Sequence, residues 1–173
     1  DPLPDTTAPA AVTTLAASSA TQTSVTLVWT APGDDGTSGT ANAYDIRYAT
    51  AAITAANFGS ASQASGEPAP LAAGQTQSFT VTGLTAGTTY YFAMKVRDEV
   101  PNWSALSNTP QRATDPLPDT TPPAGVTTLT ACSPTQTSVS LDWISVGDDG
   151  AAGTACSYDI RYSTAAITTD NFG

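Results

Sequence analysis

Hydrophobic and polar residues alternate one by one along much of the chain, the period of strands with one buried face. Val25, Leu27 and Trp29 interleave with Thr26, Val28 and Thr30. Tyr44, Ile46 and Tyr48 interleave with Asp45 and Arg47; Phe79 and Val81 follow, then Tyr90, Phe92, Met94 and Val96. Between the runs lie PGDDGTSGT, GSASQASGEPAP, TGLTAGT and DEVPNW. Their Gly, Pro, Asp and Asn supply the backbone geometry of turns. No segment keeps a helical period long enough to define a helix. The pattern predicts an all-β chain with about seven strands per unit, the strand count of a sandwich.

The unit is defined by a repeat. Residues 1–59 align without a gap on residues 115–173, and 42 of those 59 positions are identical. GDDG returns unchanged, DPLPDTTAPA returns as DPLPDTTPPA, and YDIRYAT as YDIRYST. The second copy keeps Val139, Leu141 and Trp143 but replaces Val28 by Asp142. An aspartate replacing Val28 is tolerable only on a solvated face, so the two copies together assign the inner and outer faces of this strand. Prolines at 2, 4, 9, 116, 118, 122 and 123 favour extended geometry and mark stiff linkers over residues 1–8 and 114–122. Residues 9–113 then form one complete domain and 123–173 the first half of another.

Charge and composition narrow the function. Fifteen acidic residues against five basic ones give a net charge of −10. Nucleic acid and anionic membranes need a basic surface, so neither is expected as a partner. No apolar run approaches the length of a membrane span. The chain has no histidine, hence neither the commonest general base nor the commonest transition-metal ligand. Ala, Thr and Ser supply 77 residues and Lys only one. This small, hydroxyl-rich surface points to a secreted or cell-surface location.

The segment LTAGTTYYF is similar to the L-x-P-x-T-x-Y motif before the sixth strand of fibronectin type III domains, with Ala86 in place of its proline. Trp29 matches the core tryptophan of the family's second strand, and Tyr44, Ile46 and Tyr48 its third; NWSALSN resembles the approach to its last strand. The likeness covers residues 8–113 and repeats over 122–173. It implies an all-β, immunoglobulin-like sandwich with a core built on Trp29, Tyr44, Ile46, Tyr48, Leu84, Tyr90 and Phe92, and on Trp143 in the second copy. Tyr90 is then the tyrosine corner, its hydroxyl bonding back to nearby backbone. The same topology brings the loops 33–40 and 97–104 to one end, beside the incoming linker.

That end carries Asp34, Asp35, Asp98 and Glu99, with Asp5 close by. Carboxylates and loop carbonyls are the ligands of hard cations, so these four residues are the candidate Ca²⁺ site and Ca²⁺ the only cofactor suggested. The competing explanation is that Asp and Gly here simply form turns. Paired carboxylates on loop tips lack the water-excluding cleft that a glycosidase requires, and Ser or Thr nucleophiles have no suitable base, so no catalytic residues are assigned. On the outer face, Asp45 and Arg47 should meet Lys95 and Arg97 across the strands, each pair contributing ~0.2–1 kcal/mol. No RGD tripeptide is present, and Asn102-Trp103-Ser104 is a glycosylation sequon. Cys132 and Cys156 replace Ser18 and Asn42 and are expected to lie too far apart for a bridge.

Residues 123–173 lack counterparts of the strands that would cover Trp143, Leu141, Ile160 and Tyr162, and so leave an apolar face and open edges. The expected function is a non-catalytic structural, spacer or adhesive repeat, partnered by neighbouring domains or other copies. Two alternatives remain at this point. One is a subunit of an extracellular filament completed by strands from a neighbouring chain. The other is an accessory polysaccharide-binding module, with Trp103 stacking on the sugar or else packing against the protein.

Overall fold

The computed structural model describes residues 4–172, so Pro2 of the proposed linker lies outside the described residues. It divides into two compact units, one ending at Leu117 and the other beginning at Pro118.

Unit 1 is a two-sheet sandwich. The first sheet has the order β1-β2-β5, from β1 (Ala16–Ala20), β2 (Ser24–Thr30) and β5 (Thr76–Thr82). The second has the order β4-β3-β6-β7, from β3 (Ala43–Ala49), β4 (Ser62–Gln63), β6 (Thr89–Arg97) and β7 (Gln111–Ala113). All pairings are antiparallel, with Leu27 opposite Phe79 and Ile46 opposite Met94. The inward phase of each strand fills the space between the sheets. Val25, Leu27, Trp29, Ile46, Phe92, Met94 and Val96 are at most 1% exposed; Tyr44, Leu84 and Tyr90 are also buried. Tyr48 is partly buried and packs against this cluster. The Trp29 ring meets Tyr44 edge-on at 5.2 Å, an orientation favoured by the aromatic quadrupole. The Thr85 N–H donates to the Tyr90 hydroxyl at 3.1 Å, closing the turn before β6.

Two features differ from the sequence expectation. Residues 114–116 belong to unit 1 rather than to a free linker. Thr114 is 2% exposed; its hydroxyl accepts from Thr88 N and donates to Thr85 O. Second, the outer face of the β3–β6 sheet is not open to solvent throughout. The segment after β3, with a 3₁₀ turn at Phe58–Ser60, folds over it and buries Ile53 and Phe58 against Ala93. Phe58 also packs beneath the Arg47 guanidinium and the Lys95 ammonium, 5.1 and 5.3 Å from its ring centroid. Asp45 does stand opposite Lys95, but it pairs with Arg47 two residues along its own strand, at 2.9 Å. Arg47 itself lies opposite Ala93 rather than Arg97.

Among the described residues, unit 2 has only β8 (Thr130–Cys132), β9 (Ser140–Asp142) and a turn of helix, α1 (Thr169–Phe172). Three strands were expected, but YDIRY at 158–162 is not one. In unit 1 the same pentapeptide is held by β6 and β4, and residues 118–172 contain no equivalent of either. A strand is defined by its ladder, so identical residues without partners do not form one. Local geometry is nonetheless retained, with Trp143 against Tyr158 at 5.4 Å. Ile160 and Tyr162 are 52% and 99% exposed. Cys132 and Cys156 are both free thiols.

Candidate functional site

The loop 33–40 is built on glycine. A side chain at Gly33 would collide with the Ser38 backbone, and Gly36 and Gly39 have φ of 63° and 80°. Asp34 N and Asp35 N both donate to Ser38 O, which fixes the two aspartates on the turn. The incoming chain docks on the same loop: Ala10 N donates to Gly36 O at 2.9 Å and Gly36 N to Ala8 O at 3.2 Å. Asn102 Nδ2 donates to Asp5 O, joining the loop after β6 to this end.

The carboxylates meet here in pairs. Asp34 is raised above its ordinary 3.8 by desolvation and then by the neighbouring charge of Glu99. Asp35 is raised chiefly by Asp5 and next by desolvation. In unit 2, Asp119 likewise raises Asp149, the same pairing of linker with loop. Asp98 behaves differently. It is 0% exposed, and its carboxylate accepts from Asn102 N at 2.9 Å and Asn102 Nδ2 at 2.8 Å. Asp98 therefore pins the loop after β6. Among the described residues no three Asp, Glu or Cys side chains are set to hold a metal ion. The geometry thus gives close carboxylate pairs around a structural aspartate.

The raised values of Asp34 and Asp35 have a consequence for stability. Because the folded pKa lies above the unfolded one, the folded chain holds more protons through that interval, and stability falls as pH rises through it. Asp34→Asn and Asp35→Asn should each melt higher than the parent at neutral pH, the difference shrinking as pH falls toward 3.8. Equal melting temperatures at neutral pH would show that the pairs carry no strain.

Trp103 sits on the outer face of the β3–β6 sheet, bridged to Arg97 and 44% exposed. The Arg97 guanidinium lies 5.7 Å from its ring centroid. Ser104 and Ser107, which sequence reasoning passed over, anchor this segment. Val96 N donates to Ser104 Oγ and Met94 N to Ser107 Oγ, each at 2.9 Å, while Ser104 N and Ser107 N return bonds to Val96 O and Met94 O. Both serines are buried. Their spacing of three inside a polar loop was the available signal.

The opposite end of unit 1 receives the outgoing chain. Asp115 N donates to Thr21 O, Gly87 N to Asp115 O, and Gln22 Nε2 to Pro116 O.

The fibronectin type III domain profile matches residues 10–108. The chain belongs to the fibronectin type III family. Exoglucanase B of Cellulomonas fimi is 39% identical over 155 residues, which are 86% of this chain and 12% of that protein. Chitinase A1 of Niallia circulans is 34% identical over 169 residues, 95% of this chain and 20% of that one. The chain therefore spans a fifth or less of either relative. Among solved structures, the FN1–FN3 domains of chicken CNTN1 align over 82% of this chain and 43% of theirs, at 17% identity and a TM-score of 0.46. Among the described residues no helix is long and apolar enough to cross a membrane.

Proposed function

We propose that this fibronectin type III segment is a non-catalytic spacer within a larger extracellular protein that acts on polysaccharide. The observation that carries it is the path of the chain through unit 1. The chain enters against the loops 33–40 and 97–104 and leaves against the turns at Thr21 and Gly87. β6 runs between those two ends for nine residues, a span of ~30 Å at strand rise. A module threaded in this way holds whatever precedes it a fixed distance from whatever follows. The names of the two relatives, an exoglucanase and a chitinase, suggest the setting.

The filament alternative meets a stoichiometric obstacle. Residues 4–172 contain one set of the strands β5, β6 and β7, and unit 1 already uses it. A second copy that lent these strands to Trp143 and Ile160 would have to open its own sandwich. The spacer reading is tested by the distance between the two ends of unit 1 in solution: a fixed separation supports it, and a variable one removes it.

A further inference from the structure

We infer that the outer face around Trp103, Arg97 and Lys95 is a binding site for an anionic polysaccharide, a sugar chain bearing carboxylate or sulfate groups. The inference goes beyond the spacer role and does not depend on it.

The chain has only five basic residues, and three of them share this face. The register of β3 on β6 sets Ala43 opposite Arg97, Asp45 opposite Lys95 and Arg47 opposite Ala93, so all six side chains project away from the core. Asp45 neutralises Arg47 through contacts at 2.9 and 3.1 Å. Lys95 and Arg97 take part in no ion pair among the described residues. Lys95 lies over Phe58 and opposite Asp45, while Arg97 lies over Trp103, so two cations without an ion pair share one face of a molecule whose net charge is −10.

The Arg97 Nε is buried and has no hydrogen-bond partner. A buried donor left unmet is costly, and a ligand oxygen would satisfy it once the Arg97 side chain turns outward. Beside it Trp103, bridged to Arg97 across the backbone, is 44% exposed. The contact with Arg97 holds the guanidinium over the indole. The remaining exposed indole surface suits the C–H face of a pyranose, and the guanidinium fork suits a planar carboxylate. A neutral sugar would use the ring but not the cations; a simple inorganic anion would use the cations but not the ring. Both features in one place select a charged sugar.

The test is native affinity electrophoresis of the full chain through gels containing polygalacturonate, with hydroxyethylcellulose as the neutral control. The expected result is retardation by polygalacturonate alone, weakened by added salt because the contact is ionic. Arg97→Gln should weaken apparent affinity by about tenfold, the scale of one hydrogen bond to a charged group, and Trp103→Ala should weaken it through loss of the apolar stacking surface. Arg97→Lys and Trp103→Phe, which keep charge and ring respectively, should bind between parent and null; thermal melting verifies that each variant folds. Absence of retardation, equal retardation in the neutral gel, or indifference to both Arg97→Gln and Trp103→Ala would overturn the proposal. So would self-association abolished by Arg97→Gln without any glycan effect, since the face would then receive the acidic end of another copy.

Discussion

Trp29→Ala should destabilise unit 1 by about 3–5 kcal/mol, the cost of removing a fully buried tryptophan and leaving its cavity. The ring is 1% exposed and packs edge-on against Tyr44 in the centre of the sandwich. Domains of this size have only about 5–15 kcal/mol of net stability, so the urea midpoint should fall by about a fifth or more. Trp143→Ala removes the equivalent residue from unit 2, where the ring is only half-buried. It should leave the unit 1 transition where it is. A loss under about 1 kcal/mol for Trp29→Ala would mean that the sandwich core is not assembled as described.

Asp98→Ala should cost about 1.5–3 kcal/mol, the range for hydrogen bonds to a charged group. The carboxylate is wholly buried and takes two donors from Asn102. Removing it takes away both bonds from Asn102, whose backbone N–H keeps only Val100 O, and loosens the loop that meets Asp5. Glu99→Gln, on an exposed neighbour, removes no buried hydrogen bond and, by relieving the repulsion with Asp34, should melt slightly higher than the parent at neutral pH. The comparison also separates structural from metal-binding roles. If Asp98 acts only as a loop anchor, calcium leaves the melting temperatures of parent and variant unchanged. A calcium-dependent rise in the parent that Asp98→Ala abolishes would instead assign it as a ligand.

Asp98 illustrates what the sequence held and how it was read. The inward phase of β6 runs Tyr90, Phe92, Met94, Val96, and its next member is residue 98. Grouped with its acidic neighbours, Asp98 looks like a surface ligand; placed in the strand phase, it points inward. Alternation proved reliable wherever a strand had partners, and the Val28 to Asp142 exchange marked the outer face correctly, with Leu27 and Trp29 turned in. It failed at Tyr158–Tyr162, because periodicity reports a preference for one face and not the presence of a neighbouring strand. The cover over the β3–β6 face was not legible for a related reason. Ile53 and Phe58 are isolated apolar residues in an irregular segment and carry no period. Their recurrence as Ile167 and Phe172 was the one hint available. Ser104, Ser107 and Thr114 were hidden because a buried hydroxyl and a solvated one look alike in sequence; only the backbone groups they satisfy reveal them.

The proposed spacer role rests on unit 1 holding its two ends apart, and pulsed electron resonance measures that separation directly. With Cys132 and Cys156 changed to serine, spin labels would be placed at Thr7→Cys and Leu117→Cys, one at each end of unit 1 and both exposed. The account predicts a single narrow distribution centred near ~30 Å, the length of the intervening strands. A broad distribution, or one collapsed well below that length, would contradict it.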